Sequence, residues 1–467
     1  MVKNYIKYTL PLYIVLFSCF TSCKKEFEAR DYVAYFGGEV QNPQTNYVLF
    51  LKDNAVIDTI FLDKNNRFMH KFDSLAPGLY TFKHEPEYQY VYFDKNDSLM
   101  VRMNAFDFDN SIVFCGRGDE KNNFLMEMYL KNEADKATMY DVFDRNVKQF
   151  IKNIDSSFAI RKSFYLKRKA EIGWDKPFDA VAKASLDFHH ITKKEIYPYA
   201  HQFRTGESIR KALPSDYYSH RKEVNFENDD FTNYSPFIKY ISMMLTNMAH
   251  EKNKGDFDEN SIENNIEKLN ITNSIIKNEK VKNVVLNNVA LMYLLEDQNM
   301  YNNTQFIERY LQLSTDTQLE KEIRTIYNSV QNLKVGNKLP EIELVDSDNQ
   351  KVTLSSKINK PTVLYFWTTH AESHLAVAHQ KINDLKVKYP NYNFIAINID
   401  DTQPNWNNAL KKYKLSVDNE LHASDFEIIR NKWVITKVHR IIILNADGTI
   451  KNGFANLFDV NFETNLQ

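Results

Sequence analysis

The stretch Lys360-Pro361-Thr362-Val363-Leu364-Tyr365-Phe366-Trp367-Thr368-Thr369-His370-Ala371-Glu372-Ser373-His374 decides how the rest of the chain is read. It begins as an apolar, β-rich run and ends in a helix start. A buried strand therefore delivers a loop and a helix N-terminus to one edge of a sheet.

This segment resembles the active-site run of thioredoxin-like proteins, specifically the TlpA-like thiol-disulfide oxidoreductases of bacterial envelopes, where it reads roughly F-W-A-T-W-C-x-x-C. Phe366-Trp367 match, and the two cysteine positions fall on Ala371 and His374. Dithiol chemistry needs a thiolate of lowered pKa at a helix N-terminus and a second thiol to resolve the mixed disulfide. Ala371 offers no nucleophile. His374 can ligate a metal or move a proton, but it cannot form a disulfide.

The flanking sequence extends the resemblance over residues 335–467. Val335 to Leu344 reads as an opening strand with Pro340 at an edge-compatible position, followed by a turn at Asp346 to Gln350 and a return strand at Val352-Thr353-Leu354. Leu375 to Tyr389 reads as a helix, Asn393 to Asp400 as a buried parallel strand, and Asp401 to Tyr413 as a second helix. Arg440 to Leu444 and Thr449-Ile450 flank Asp447-Gly448 as a closing hairpin. In the family a cis-proline precedes this hairpin and faces the cysteines; here that position is His439. A cis bond before a non-proline residue costs ~3–4 kcal/mol, so a trans bond and a rearranged loop are expected.

Three imidazoles, His370, His374 and His439, thus gather at the former redox site. If the helix already includes His370, then His370 and His374 stand one above the other and suit a divalent zinc or copper ion, with Glu372 adding an oxygen. A vestigial site that holds no ligand is the other reading, and both stay open here, as does acid-base catalysis by a histidine.

Upstream, residues 31–118 show a period near two broken by turns, which predicts a small β-sandwich with strands at Tyr47–Leu51, Ala55–Leu62, Gly78–His84, Tyr88–Phe93, Ser98–Met103 and Ser111–Cys115. The module resembles the DUF4369-type N-terminal modules of Bacteroidetes envelope proteins. Gly116-Arg117-Gly118 lacks the third glycine and the setting of a phosphate loop, and Asp107 to Asn110 reads as a turn. Residues 119–334 switch to helical spacing. Helices are expected from Asn123, over Tyr140–Ile172, Phe178–Tyr197, Pro236–His250, Ser261–Glu296 and Thr304–Leu333, with starts at Asp258 to Ser261 and at Asp316-Thr317. The basic run Arg161 to Lys169 reads as a solvated helix face, and His189, His190 and His201 show no metal spacing.

The N-terminus sets the compartment. Lys3 and Lys7 precede the apolar run Leu10 to Phe20, which is too short to span a ~30 Å bilayer but suits a signal peptide. Phe20-Thr21-Ser22-Cys23 resembles a bacterial lipobox, which implies cleavage after residue 22 and a lipid on Cys23. Lys24-Lys25-Glu26 resembles the charged export signals of surface lipoproteins. Cys115 is then the one thiol of the mature chain, so no intramolecular disulfide forms. With 43% hydrophobic residues, 26% charged residues and a formal net charge of −2, nothing points to nucleic acid.

The expected protein is multi-domain: signal peptide 1–22, lipidated linker 23–30, β-sandwich 31–118, all-α region 119–334 and α/β thioredoxin-like domain 335–467. It reads as an envelope lipoprotein, membrane-bound through its lipid, whose redox-inactive domain binds a protein or peptide. The alternative is a zinc- or copper-binding protein, or a divergent thiol-disulfide oxidoreductase-related enzyme, using the histidines at the former active site.

Overall fold

The computed structural model describes residues 32–467, apart from 54, 254–257, 259, 297–299 and 424. The expected signal peptide, the expected lipidated linker and Cys23 lie outside the described residues. Packing divides the chain into two units, one of residues up to 137 with 159–186, the other of residues 138–158 with 187–467.

The first unit opens with β1 (Ala34–Gln41), β2 (Tyr47–Lys52), β3 (Ala55–Phe61), β4 (Arg67–Phe72), β5 (Gly78–His84), β6 (Glu87–Phe93), β7 (Ser98–Asn104), the short helix α1 (Phe108–Ser111) and β8 (Val113–Arg117). They form two four-stranded sheets, ordered β4-β1-β7-β8 and β3-β2-β5-β6. Alternating side chains fill the core, where Phe36 meets Phe50, Phe68, Phe82 and Phe93 at centroid distances of 5.3–5.9 Å. The sequence reading had not singled out β1 or β4. Asp107 to Asn110 leads into α1 rather than a simple turn, and Asp109 accepts from the Tyr129 hydroxyl at 2.8 Å.

Edge strands expose unpaired backbone groups that must be covered. Helix α2 (Asp119–Ala134) covers two of them with consecutive asparagines. Asn122 accepts from Tyr92 N at 2.7 Å and donates to Tyr92 O at 2.8 Å on β6, while Asn123 pairs in the same way with Phe114 on β8, both bonds at 2.9 Å. Each amide side chain stands in for the peptide of a missing neighbouring strand. Gly118, at φ 97°, begins this helix. A Cβ there would strike the Asp97 carboxylate, so the glycine makes room for an internal acid rather than a bound phosphate.

Helices α3 (Lys136–Phe143), α4 (Val147–Ile172) and α5 (Lys176–Thr205) follow. The basic run on α4 is largely ion-paired: Arg161 is buried against Asp135 at 2.5 Å, and Lys169 meets Asp179 at 2.9 Å. Asp179 also accepts from Tyr165 at 2.6 Å and Trp174 Nε1 at 2.9 Å. Burial alone would raise its carboxyl pKa, but these donors overcome that and hold it at about 2. The lowered pKa means the contribution is complete above the ordinary value near 3.8 and is lost as pH falls through about 2. Acid titrations following Trp174 fluorescence should show Asp179→Asn losing about 2 kcal/mol of stability dependence in that window.

In the second unit, α5 continues past the expected end at Tyr197 and through Pro198. Proline forfeits one ladder bond, but buried side chains pin both halves. Tyr197 stacks on Phe150 at 3.7 Å and donates to Arg145 O at 2.6 Å, and His201 Nδ1 lies 2.8 Å from Phe143 O. His190 stacks on Phe158 at 4.4 Å, and burial pulls it down to about 3. These histidines serve packing.

Beyond α5 come α6 (Ser235–Asn253), α7 (Ile262–Ile275), α8 (Glu279–Glu296), α9 (Met300–Leu313) and α10 (Thr317–Asn332). The three longest expected helices are each two, because short breaks interrupt an otherwise continuous pattern. Ser261 caps α7 by accepting from Asn264 N, and Asp316 caps α10 by accepting from Gln318 N and Leu319 N at 3.0 Å. Between α5 and α6, the wholly buried Glu195 carboxylate gathers Arg221 in two 2.8 Å bonds, His220 at 2.9 Å and Asn247 at 2.8 Å.

The C-terminal domain adds β9 (Leu344–Val345), β10 (Lys351–Val352), β11 (Thr362–Trp367), α11 (Glu372–Lys388), β12 (Asn393–Asn398), α12 (Gln403–Lys412), β13 (Glu420–Ala423), α13 (Phe426–Trp433), β14 (Arg440–Leu444) and β15 (Ile450–Asn456). One seven-stranded sheet results, ordered β10-β9-β13-β12-β11-β14-β15. β11, buried at all six residues, lies parallel to β12 and antiparallel to β14. Leu364 and Phe366 enter the core on one face; Val363, Tyr365 and Trp367 enter the other. The strand expected around Pro340 contributes only Leu344–Val345, the return strand stops at Val352, and Leu354–Lys357 forms a 3-10 turn instead.

Helix α10 ends inside this domain's core, where Val330 and Leu333 join the cluster around Leu364 and Phe366. A side chain at Gly453 on β15 would strike the Leu333 carbonyl oxygen. Among the described residues, no helix is long and apolar enough to cross a membrane.

Candidate functional site

The site lies where β11 gives way to α11, at the carboxyl ends of β11 and β12, where ligands enter open α/β sheets. Thr368 leaves the strand and accepts from His370 N at 3.3 Å, opening a 3-10 turn over Thr369–Ala371. Ala371 is the N-cap of α11 and makes no side-chain cap bond, and His374 sits in the first turn. Ala371 and His374, which the sequence resemblance sets at the cysteine positions, are therefore at a strand tip and helix start.

Beneath the turn, Asp400 takes a left-handed conformation at φ 69°, which turns the chain back so that Asp401 points under the loop. The Asp401 side chain is wholly buried. It accepts from Thr369 N at 2.9 Å, from the Thr369 hydroxyl and from Asn398 Nδ2 at 2.6 Å. Asn398 Oδ1 in turn lies 3.0 Å from His422 Nδ1, and the His422 ring stacks on Trp406 at 5.2 Å. Burial pulls His422 below the ordinary imidazole value. A second buried acid, Glu420, accepts from Trp367 Nε1 at 2.9 Å and lies 3.2 Å from His379 Nε2. The sequence places Asp401 at the carboxyl end of an apolar strand and His379 on another face of the helix, but gives no role to either, nor to Asn398, Glu420 or His422. Replacing Asp401 with alanine strands three donors. Loss of about 1–3 kcal/mol is expected, with faster amide exchange at Thr369 by mass spectrometry.

The structure divides the three imidazoles. His370 stands in the 3-10 turn, before α11 begins, so it does not share a helix face with His374; its Nε2 lies 3.9 Å from Asp401 Oδ1. His374 instead meets the Phe458 ring edge-on at 5.7 Å, and both of its ring nitrogens are buried without a hydrogen-bond partner. Burial holds its pKa below the ordinary value, and the charges of His439 and His379 act in the same direction. His439 accepts from Leu457 N at 3.1 Å through its carbonyl. Glu372 is tied to Lys412 at 2.7 Å and to the Tyr413 hydroxyl. Among the described residues no group of three or more His, Cys, Asp or Glu side chains is placed to hold a metal ion. The zinc or copper reading required a helix that already includes His370; α11 starts two residues later, so His370 and His374 do not share a helix face.

The bond before His439 is trans, since Glu85–Pro86 is the cis peptide among the described residues. The following Arg440 is buried and donates to the carbonyls of Val434 and Gly453, with Phe454 beneath its guanidinium at 3.8 Å. Burial lowers its pKa to about 9, which leaves it charged at neutral pH. It braces the loop that leads into β14.

Residues 359–450 match the family model described as thioredoxin-like. The C-terminal domain is thioredoxin-like. Among solved structures, the chain is similar to a candidate thiol-disulfide oxidoreductase from Bacteroides vulgatus, at 20% identity over 29% of this chain and 96% of that one, with a TM-score of 0.27. The thioredoxin domain of a thiol-disulfide oxidoreductase from the same species is 18% identical over 25% and 85% of the two chains, with a TM-score of 0.21. A thiol:disulfide interchange protein from a Bacteroides species is 18% identical over 26% and 80%, with a TM-score of 0.22. No curated protein matches the chain. No cysteine occurs after Cys115 in the sequence, so the thioredoxin-like domain holds no thiol. Its site can exchange hydrogen bonds and move a proton at an imidazole.

Proposed function

We propose that the protein is a lipid-anchored envelope protein whose thioredoxin-like domain binds an extended segment of a partner protein without exchanging electrons with it. The observation that carries this reading is the pairing of a retained strand, turn and helix start with Ala371 and His374 at the two positions where the family holds cysteines. The buried carboxylates Asp401 and Glu420 hold the turn and helix from below, which preorganises a surface for binding. Phe458, partly exposed beside His374, supplies an aromatic contact at its rim. The lipid on Cys23 keeps the domain at a membrane, and the partner is a protein or peptide rather than nucleic acid.

The test is photo-crosslinking in native envelopes of the full chain with a benzophenone amino acid at Phe458 or His370. A discrete protein adduct that weakens in Asp401→Ala supports the reading. Adducts confined to lipid, or a turnover of thiols by the purified chain, overturn it.

A further inference from the structure

We propose that the outer face of the β4-β1-β7-β8 sheet carries a binding site for a soft monovalent metal ion, Cu(I), formed by Met69, Met100 and Cys115. Strand register puts these residues on one rung. Gly37 of β1 is opposite Met69 of β4 on one side and Met100 of β7 on the other, and Met100 is opposite Cys115 of β8. The neighbouring residues Phe36, Phe68, Leu99, Val101 and Phe114 turn into the core, so the period of two sends all three sulfur side chains to the outer face.

Gly37 creates the space. A Cβ at that position would lie 2.9 Å from Met69 Sδ and 3.0 Å from Met100 Sδ, so the two thioethers converge above the glycine and are within about 6 Å of each other. Cys115 is a free thiol, exposed on the edge strand. Residues directly opposite on antiparallel strands have Cβ atoms ~4.5–5.5 Å apart, which brings its sulfur within reach of Met100. Metal–sulfur bonds near ~2.3 Å, the zinc–thiolate value, require the sulfurs to draw closer, and methionine has three rotatable bonds with which to do so.

Thioether and thiolate ligands select Cu(I) over hard divalent ions, and a bound metal displaces the thiol proton. The other use for these methionines is as an apolar cover over Gly37. Met69 leaves 59% of its surface in solvent, which is poor for a cover and suits an accessible ligand. The sequence reading had considered zinc or copper only at the histidines, and this rung does not depend on the proposed partner-binding site.

The experiment titrates Cu(I) anaerobically into the full chain in detergent, against a chromophoric Cu(I) chelator, while 13C-labelled methionine methyl groups are followed by NMR. The expected result is one bound ion that shifts the Met69 and Met100 methyl signals. Cys115→Ser and the paired Met69→Leu, Met100→Leu variant should each lose it, and His374→Ala should retain it. Cys115 is exposed and leucine matches methionine in volume, so circular dichroism should be unchanged in both. Retention of the ion by either sulfur variant, loss in His374→Ala, or absence of binding by the parent chain overturns the proposal.

Discussion

The paired substitutions Ala371→Cys and His374→Cys are expected to give the thioredoxin-like domain a reducible disulfide and to raise insulin-reducing activity above that of the parent. Position 371 caps a 17-residue helix with no competing side chain. A thiol there faces the unpaired amides of the first turn, which lower its pKa below ~8.5. Position 374 follows at the spacing of a Cys-X-X-Cys motif. Removing the His374 imidazole also removes two buried ring nitrogens that lack partners, so stability should not suffer. Alkylation and mass spectrometry read the disulfide directly. If the two thiols stay unpaired under mild oxidation, the backbone over Thr369–His374 does not hold dithiol geometry.

Replacing Glu195 with alanine is expected to cost the second unit about 3–5 kcal/mol, the range seen when one partner of a buried ion pair is removed. The truncation leaves Arg221 with a 3.3 Å contact to Glu251 and the face of Tyr218 at 3.7 Å. His220 and Asn247 lose an acceptor as well. Burial opposes ionisation of Glu195, but Arg221 and then His220 outweigh it and hold its pKa below the ordinary 4.5. A lowered carboxylate pKa stabilises the fold above that ordinary value and loses its contribution as pH falls through the native one. The acid limb of the parent's unfolding curve should therefore flatten in the variant. Denaturant unfolding at neutral pH checks the magnitude; a midpoint equal to that of the parent would refute the assignment.

The central strand, α11, β12 and the closing hairpin were legible because each is a long run of one period bounded by turn residues. β13 was not. It has four residues and puts Glu420 and His422 into the interior, which is tolerable only because Trp367, His379 and Asn398 meet them there. Pro198 misplaced the end of α5 because the side chains that carry the helix across it contact residues some fifty positions away in sequence. Of the site, Ala371 and His374 could be placed by alignment with a motif, whereas Asp401 draws its role from a turn that no local pattern encodes. The separation of His370 from His374 hinged on where the helix begins, and helix boundaries are where sequence patterns are least sharp.

The seating of α10 against Gly453 has a practical corollary for anyone dissecting this chain. A fragment starting at residue 335, where the sequence pattern changes, would lose Val330 and Leu333, each worth ~1.5–3 kcal/mol when fully buried, and would open a greasy trench beside the last strand. Such a fragment should be prone to self-association. Helix α10 belongs to both packings at once, with Ile323 in the helical cluster and Val330 and Leu333 in the core of the sheet that follows, so a cut on either side of it strips one of them.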